Sequence, residues 1–274
     1  MDPKLQTRIQ RYGWDLASAD YEPLWQQQLA AARTALLAAA SLVEGEQVLD
    51  VACGTGLLTF EAARRVGPAG QVVGVDLSDK MIETARRMPG TNVNFRRMDA
   101  RQLDLPAQSV DAVLCGLGLM YVPDPLVAVT EMLRVLRPGG RVALAVWGRR
   151  SHCGWAPVFE VVEAEVSSDV CPLFFNLGSH NELASLCEQA GFEVFDNRRL
   201  NSTLVYADAA AACDAAFVGG PVALAWSRFD ESTRLRARQR YLTAIEPWRR
   251  EAGYRIPGEF VIVAARKPVL FNRG

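Results

Sequence analysis

The residues from Val48 to Leu57 carry the first chemistry-bearing pattern. The segment Val48-Leu49-Asp50-Val51-Ala52-Cys53-Gly54-Thr55-Gly56-Leu57 takes an apolar strand straight into a Gly-x-Gly turn and then a helix. Glycines let such a turn adopt unusual dihedrals and let a ligand touch bare backbone. Open α/β sheets bind ligands at the carboxyl ends of their strands, where this turn sits. A lone Gly-x-Gly is weak evidence, since many such turns are only structural. A second apolar run, Val72-Val73-Gly74-Val75-Asp76, ends in an acid. A carboxylate there can accept both hydroxyls of a ribose, which serves any adenosine cofactor, NAD included. Its bland alternative is a charge placed favourably at a helix N-terminus near Ser78. A dinucleotide is the weaker ligand: Thr59 stands where the fingerprint wants a third glycine, and bulky Leu57 and Leu58 follow Gly56 directly. That suits a ligand without phosphates.

These residues need a sheet to hold them, and the chain supplies one. From Gln47 short apolar runs alternate with helical segments. The runs are 48–52, 72–76, 93–97, 110–115 and 141–147; the helical segments lie near 57–66, 79–88 and 126–136. Such βαβ alternation argues for a parallel sheet covered on both sides. Residues 1–45 read as a helical prelude, with Leu29, Ala32, Leu36, Ala40 and Val43 at helical spacing. After Trp147 the alternation breaks. A helix is expected from a capping box at Ser179-His180-Asn181-Glu182 to Gly191, then one strand over 192–206, helices over 207–255 and a last strand over 259–266. The reading is one domain: a helical cap (1–45), a core (46–147), two lid insertions (148–178 and 207–255), and remaining sheet elements (179–206 and 256–274).

The chain of 274 residues, half of them apolar, can bury a sizeable core. A net charge of −1 disfavours nucleic acid as partner. The polar start and the short, interrupted alanine-rich stretch 29–43 point to neither a signal peptide nor a membrane span. Six scattered cysteines without CxxC or zinc spacing are expected to be free thiols in a reducing cytoplasm, with no metal.

Taken together, the segments resemble the class I S-adenosylmethionine-dependent methyltransferases. VLDVACGTG is similar to the first family motif and VVGVDLSDKM to the acidic ribose strand. RMDARQLDLPAQSVDAVLC is similar to the adenine-contacting stretch and strand four, EMLRVLRPGGRVALAVW to the helix, turn and fifth strand, and FVIVAARKP to the closing antiparallel strand. The nearest branch includes the ubiquinone/menaquinone-pathway C-methyltransferases. The resemblance implies an α/β, Rossmann-like, seven-stranded and mostly parallel sheet with helices on both faces, in the order 3-2-1-4-5-7-6. It implies S-adenosyl-L-methionine as cofactor. Asp50, Ala52, Gly54 and Gly56 would cradle the methionine end and Asp76 the ribose. Leu77 and Met81 would flank the adenine, Asp99 and Ala100 would read its edge, and Cys115 would lie beside the sulfonium. Cys53 departs from the small residue usual there and reads as a small apolar side chain.

Methyl transfer asks mainly for alignment, exclusion of water and, for some acceptors, a base. His152, shortly after strand five, is the candidate base, with an ordinary loop histidine beside Trp155 as the alternative. Tyr21, Tyr121 and Trp155 are candidate acceptor-pocket residues, or ordinary core aromatics. The arginines between 228 and 250 read as a solvated helix face, with Asp230 pairing with Arg234. No Asn/Asp-Pro-Pro-aromatic run follows strand four, no Pro-Cys step occurs, and Cys153 with Cys171 does not form the arsenic-methylating thiol set. The aromatic insertions favour a small-molecule acceptor. A methyltransferase acting on RNA or protein, and a noncatalytic S-adenosylmethionine-binding protein, stay as alternatives. The acceptor and the oligomeric state are left open.

Overall fold

The computed structural model describes residues 3–166 and 174–269. Cys171 and the tail beyond 269 lie outside the described residues. The strands are β1 (Gln47–Val51), β2 (Gln71–Asp76), β3 (Val93–Arg97), β4 (Val110–Gly116), β5 (Leu136–Trp147), β6 (Glu193–Tyr206), β7 (Arg249–Arg250) and β8 (Gly253–Arg266). They form one sheet in the order β3-β2-β1-β4-β5-β8-β6, and the two-residue β7 pairs off β8. Neighbours from β3 to β5 are parallel, and β8 runs antiparallel to both β5 and β6. This is the expected order, with the small ribbon β7 added to the seven strands. The last strand starts at Gly253, not near residue 259. Its first half pairs along β6 from Tyr206↔Tyr254 to Ser202↔Gly258, so residues 253–255 belong to the sheet, not to a lid.

The helices are α1 (Pro3–Ala17), α2 (Tyr21–Trp25), α3 (Ala30–Ala40), α4 (Leu57–Val66), α5 (Asp79–Ala85), α6 (Pro125–Val135), α7 (Pro157–Glu163), α8 (Glu182–Gln189), α9 (Ala209–Phe217), α10 (Ala223–Arg228) and α11 (Glu231–Ile245). From β1 the chain crosses through α4 to β2 on one side; from β4 it crosses through α6 to β5 on the other. Right-handed crossovers in opposite directions put α4 and α6 on opposite faces. The central strands are accordingly apolar on both faces at their middle: Leu49, Val113, Leu114 and Val142 are fully buried. The strand order reverses between β1 and β4. That switch point opens a crevice at the strands' carboxyl ends.

Three expectations change here. α3 does not belong to a cap; it packs on β4, β5 and β8, and Leu36 and Leu37 are fully buried there. The crevice is lined by α1 and α2 together with Ala32, Arg33 and Leu36 from one face of α3. The capping box before α8 is absent: Asn181 is the N-cap residue without a side-chain cap bond, and the Ser179 hydroxyl donates to the Phe175 carbonyl at 3.0 Å. Asp230 does not pair with Arg234 but caps α11, accepting from the Thr233 N–H at 2.7 Å. The arginines of α11 then tie the insertions together, Arg236 to Glu165 at 3.0 Å and Arg238 to Asp214 at 2.8 Å.

Candidate functional site

The turn after β1 is built by left-handed residues. Ala52, Gly54 and Gly56 have φ of 57°, 56° and 89°. A side chain on Gly54 would meet only Tyr21, at 3.8 Å, so that position faces open space in the crevice. A side chain on Gly56 would press on Phe95 at 2.9 Å and Phe60 at 3.0 Å. Gly56 therefore closes the turn against the apolar cluster below and does not line the crevice.

Two carboxylates anchor the crevice. Asp76, at the end of β2, accepts from the Gly54 N–H at 2.9 Å and the Ser78 N–H at 2.8 Å. It fixes the glycine turn while keeping lone pairs for a ligand. Burial raises its pKa, and the backbone bonds from Ser78, Gly54 and Leu77 oppose the rise. Asp50, on β1, is fully buried. Its Oδ2 accepts from the Thr59 hydroxyl at 2.6 Å, and its Oδ1 has no partner. Burial pushes the Asp50 carboxyl up to about 7, with the Thr59 bond pulling it back and Asp76 adding to the rise. The Thr55 hydroxyl next to it is also buried and unpaired. Orphaned buried polar atoms of this kind call for a ligand group or a water.

One cavity, of about 110 Å³, runs along this edge between Asp76, Leu77 and Met81 on one side and Asp99, Ala100 and Arg101 on the other. Its roof is α1, through Thr7, Gln10, Arg11 and Trp14. A second, contiguous through Tyr21, Ala52 and Gly54, holds Asp50, Thr55 and Arg33. Asp99 is not a free acceptor: Arg101 donates to its Oδ2 at 2.7 Å and from its backbone to Oδ1 at 2.9 Å. Partial burial works against ionisation of Asp99, but these bonds prevail and hold it below the usual carboxylate range. Beyond Trp14 and Tyr21 lies a third, small aromatic chamber of about 30 Å³, walled by Trp25, Tyr121, Trp147 and Trp155, with Leu117 and Gly220.

The structure thus gathers Asp50, Ala52, Gly54, Asp76, Leu77, Met81, Asp99 and Ala100 around one crevice, and Tyr21, Tyr121 and Trp155 around the chamber beside it. Three expected site residues stand elsewhere. Gly56 is the structural hinge described above. Cys115 is buried and lines neither the crevice nor the chamber; Gly116 and Leu117 after it line the crevice instead. Burial pushes the Cys115 thiol up to about 12, so it is inert. His152 also lines neither the crevice nor the chamber: its Nδ1 sits 2.8 Å from the Glu259 carboxylate, in a network with Arg199. Glu259 itself is buried, and it holds His152 against β8.

Sequence reasoning missed Arg11, Arg101 and Ser78 along the crevice, since polar residues in a helix, a loop or a cap look solvated. Gly116-Leu117-Gly118 carried a usable signal. Two glycines flank a residue straight after a strand, and Leu117 indeed has a φ of 61°. A side chain on Gly118 would collide with that of Ala52, so the two loops touch across the switch point. Among the described residues no helix is long and apolar enough to cross a membrane.

Residues 48–140 match the family model described as a methyltransferase domain. Over 169 residues the chain is 36% identical to the demethylmenaquinone methyltransferase of Staphylococcus aureus (strain JH9), covering 54% of this chain and 68% of that one. A crystal structure from Bacillus halodurans C-125 superposes with a TM-score of 0.62 at 21% identity, over 87% of this chain and 99% of that one. A cyclase superposes with a TM-score of 0.61 at 23% identity, over 90% and 83% of the two chains. At such identities the structural likenesses show the fold alone, and the cyclase shows why: one fold serves more than one reaction. The chemistry rests on the sequence match.

Proposed function

Because the chain belongs to the class I S-adenosylmethionine-dependent methyltransferases, we propose that it methylates a small, largely apolar molecule held in the aromatic chamber beside its cofactor crevice. The cofactor, S-adenosylmethionine, supplies a methyl group on a sulfonium that is already a good leaving group. Asp50, with Ala52 and Gly54, holds the methionine end, its orphaned Oδ1 meeting the amino group. Asp76 takes the ribose hydroxyls while its bonds to Gly54 and Ser78 keep the turn in place. Leu77 and Met81 flank the adenine, and Ala100 with the Arg101-clamped Asp99 reads its edge.

The observation that carries the small-molecule reading is the chamber itself. It joins the crevice through Trp14, Tyr21, Leu117 and Tyr121, and its lining has no charged side chain. An RNA substrate asks for an open basic face, whereas a concave apolar pocket suits a small ligand. The demethylmenaquinone acceptor in the relative's name points the same way. The lining also has no side chain that serves as a base near neutral pH. Burial pushes the Tyr21 phenol up to about 12, so it stays protonated. The residues therefore work by aligning the acceptor and excluding water. The acceptor must bring its own nucleophile: an electron-rich carbon, an ionised hydroxyl or thiol, or an amine lone pair.

Two measurements test this. Calorimetry should show S-adenosylhomocysteine binding, and Asp76→Ala should weaken it by about 1.5–3 kcal/mol, the worth of hydrogen bonds to a charged acceptor. Unchanged affinity in that variant would remove Asp76 from the ribose. A cell extract incubated with enzyme and methyl-labelled cofactor should carry the label in its small-molecule fraction. Label confined to RNA or protein would overturn the acceptor class.

A further inference from the structure

Two of the chamber's walls carry an unmet demand. The indole nitrogens of Trp25 and Trp155 are buried, and neither donates to a partner among the described residues. Both side chains are almost wholly sequestered, at 5% and 2% exposure. Indole is a donor only, so neither group can be satisfied by turning to accept. A buried donor left unpaired is costly, and two in one cavity form a feature that packing alone does not require.

Their neighbours place both rings at the chamber wall. The two rings meet edge to face with centroids 6.0 Å apart, and each also packs on Trp147. The Trp25 nitrogen lies 3.9 Å from where a side chain on Gly220 would begin, and Gly220 is part of the chamber wall. Gly220 thus sets no side chain against that nitrogen. The other walls are the rings of Trp14, Tyr21, Tyr121 and Trp147 and the aliphatic Leu29, Leu117 and Pro221.

Resting on the reading of the chamber as the acceptor pocket, we propose that Trp25 and Trp155 form a donor pair that selects the methyl acceptor. Their indole N–H groups bind a carbonyl or other lone-pair oxygen on a planar apolar molecule, while Trp14, Trp147 and Tyr121 sandwich its ring. The chamber of about 30 Å³ has room for only one or two waters, so binding must widen it. Trp14, Tyr21 and Trp25 come from the α1–α2 cover, whereas Trp147 and Trp155 are braced by Phe260 and Phe159 in the core. The cover moves and the Trp147–Trp155 wall stays. The pair acts on positioning and choice of acceptor, not on the chemical step.

The test uses the full chain saturated with S-adenosylhomocysteine and two probes of like shape, α-tetralone with its carbonyl and tetralin without it. Indole N–H signals in heteronuclear NMR are assigned with Trp25→Phe and Trp155→Phe, which remove the donors and keep the rings. Expected is tighter binding of α-tetralone than of tetralin, with downfield shifts of the Trp25 and Trp155 signals for α-tetralone alone. Each Phe variant should reduce that preference about three- to tenfold, the net worth of one hydrogen bond, with S-adenosylhomocysteine affinity unchanged. A preference that survives in both variants overturns the donor pair but leaves the pocket standing. So do equal shifts with both probes, or no shift of these two signals while the Trp14 and Trp147 signals move. Failure of both probes to bind, with S-adenosylhomocysteine bound normally, overturns the acceptor-pocket reading together with this inference.

Discussion

Asp50 is the residue in which stability and function conflict most plainly. Its carboxyl, raised to about 7 by burial, is held by one hydroxyl and has one oxygen unpaired. The folded state keeps a proton on it that the unfolded chain releases near pH 4. Stability therefore falls as pH rises from about 4 to about 7. The cost is at most about 4 kcal/mol, since each pH unit between the two midpoints is worth about 1.4 kcal/mol. A cationic amino group bound at Oδ1 needs the ionised form, so S-adenosylhomocysteine affinity should rise through the same pH range. Asp50→Asn is expected to raise the thermal midpoint of the ligand-free protein at pH 8 and to flatten the pH dependence of affinity. Calorimetry and melting curves at pH 6 and pH 8 measure both; an unaltered pH dependence in the variant would assign it to another group. Thr59, which stands where a dinucleotide fold would put glycine, has its reason here: it donates to this carboxylate. His152 shows the reverse case. Its residue type fits a general base, yet the Glu259 partnership makes it part of the β5–β8 framework.

At the scale of elements, the link from β1 to α4 separates two uses of glycine. Gly54 and Gly56 both need positive φ, where a β-carbon costs roughly 1–2 kcal/mol. They differ in what the carbon meets. Gly54→Ala projects toward Tyr21 and the crevice, so the variant should fold with a modest loss of stability and bind S-adenosylhomocysteine poorly. Gly56→Ala drives into Phe95 and Phe60 and should lower the melting temperature more. Melting and calorimetry on the two variants separate the effects, and equal stability losses would contradict the packing argument. The insertions also divide. Trp155 of the first insertion reaches the chamber, as do Trp14, Tyr21 and Trp25 of the N-terminal cap. Phe217 and Trp226 stack on each other at 4.5 Å, and Trp248 covers Gly154 outside it. Half of the expected lid is thus structural packing.

Over the whole molecule, α1 is the part joined to the rest most by polar straps. The Ser78 hydroxyl donates to Asp15 at 2.6 Å, and Arg101 donates to Thr7 at 3.0 Å. Both straps end on loops that line the crevice, so ligand and cover share anchors. In the free protein α1 and α2 should exchange amide hydrogens faster than β1 and β4, and cofactor should slow them. Asp15→Ala should speed exchange in α1 and hasten S-adenosylhomocysteine release without altering exchange in the central strands. Identical rates for α1 with and without cofactor would mean that α1 is a fixed wall and that the acceptor enters elsewhere.

The sequence by itself determined what local pattern controls. Apolar runs and glycine turns are short-range signals, so the β1 turn, the acid ending β2 and the alternation up to β5 were legible, and their residues do meet at the switch point. The family likeness supplied the order of the last strands, which no periodicity contains. Tertiary structure decided the rest, because it depends on contacts between distant residues. Glu259, 107 positions away, holds His152 outside the crevice lining. Phe95 and Phe60 made Gly56 a packing residue. The sheet claimed α3 by burying its apolar face, and residues 253–255 by backbone pairing with β6 and β7. Trp25, Trp147 and Trp155 have no sequence relation to one another. They become a chamber only when α2, the end of β5 and the loop beyond it fold together at one edge.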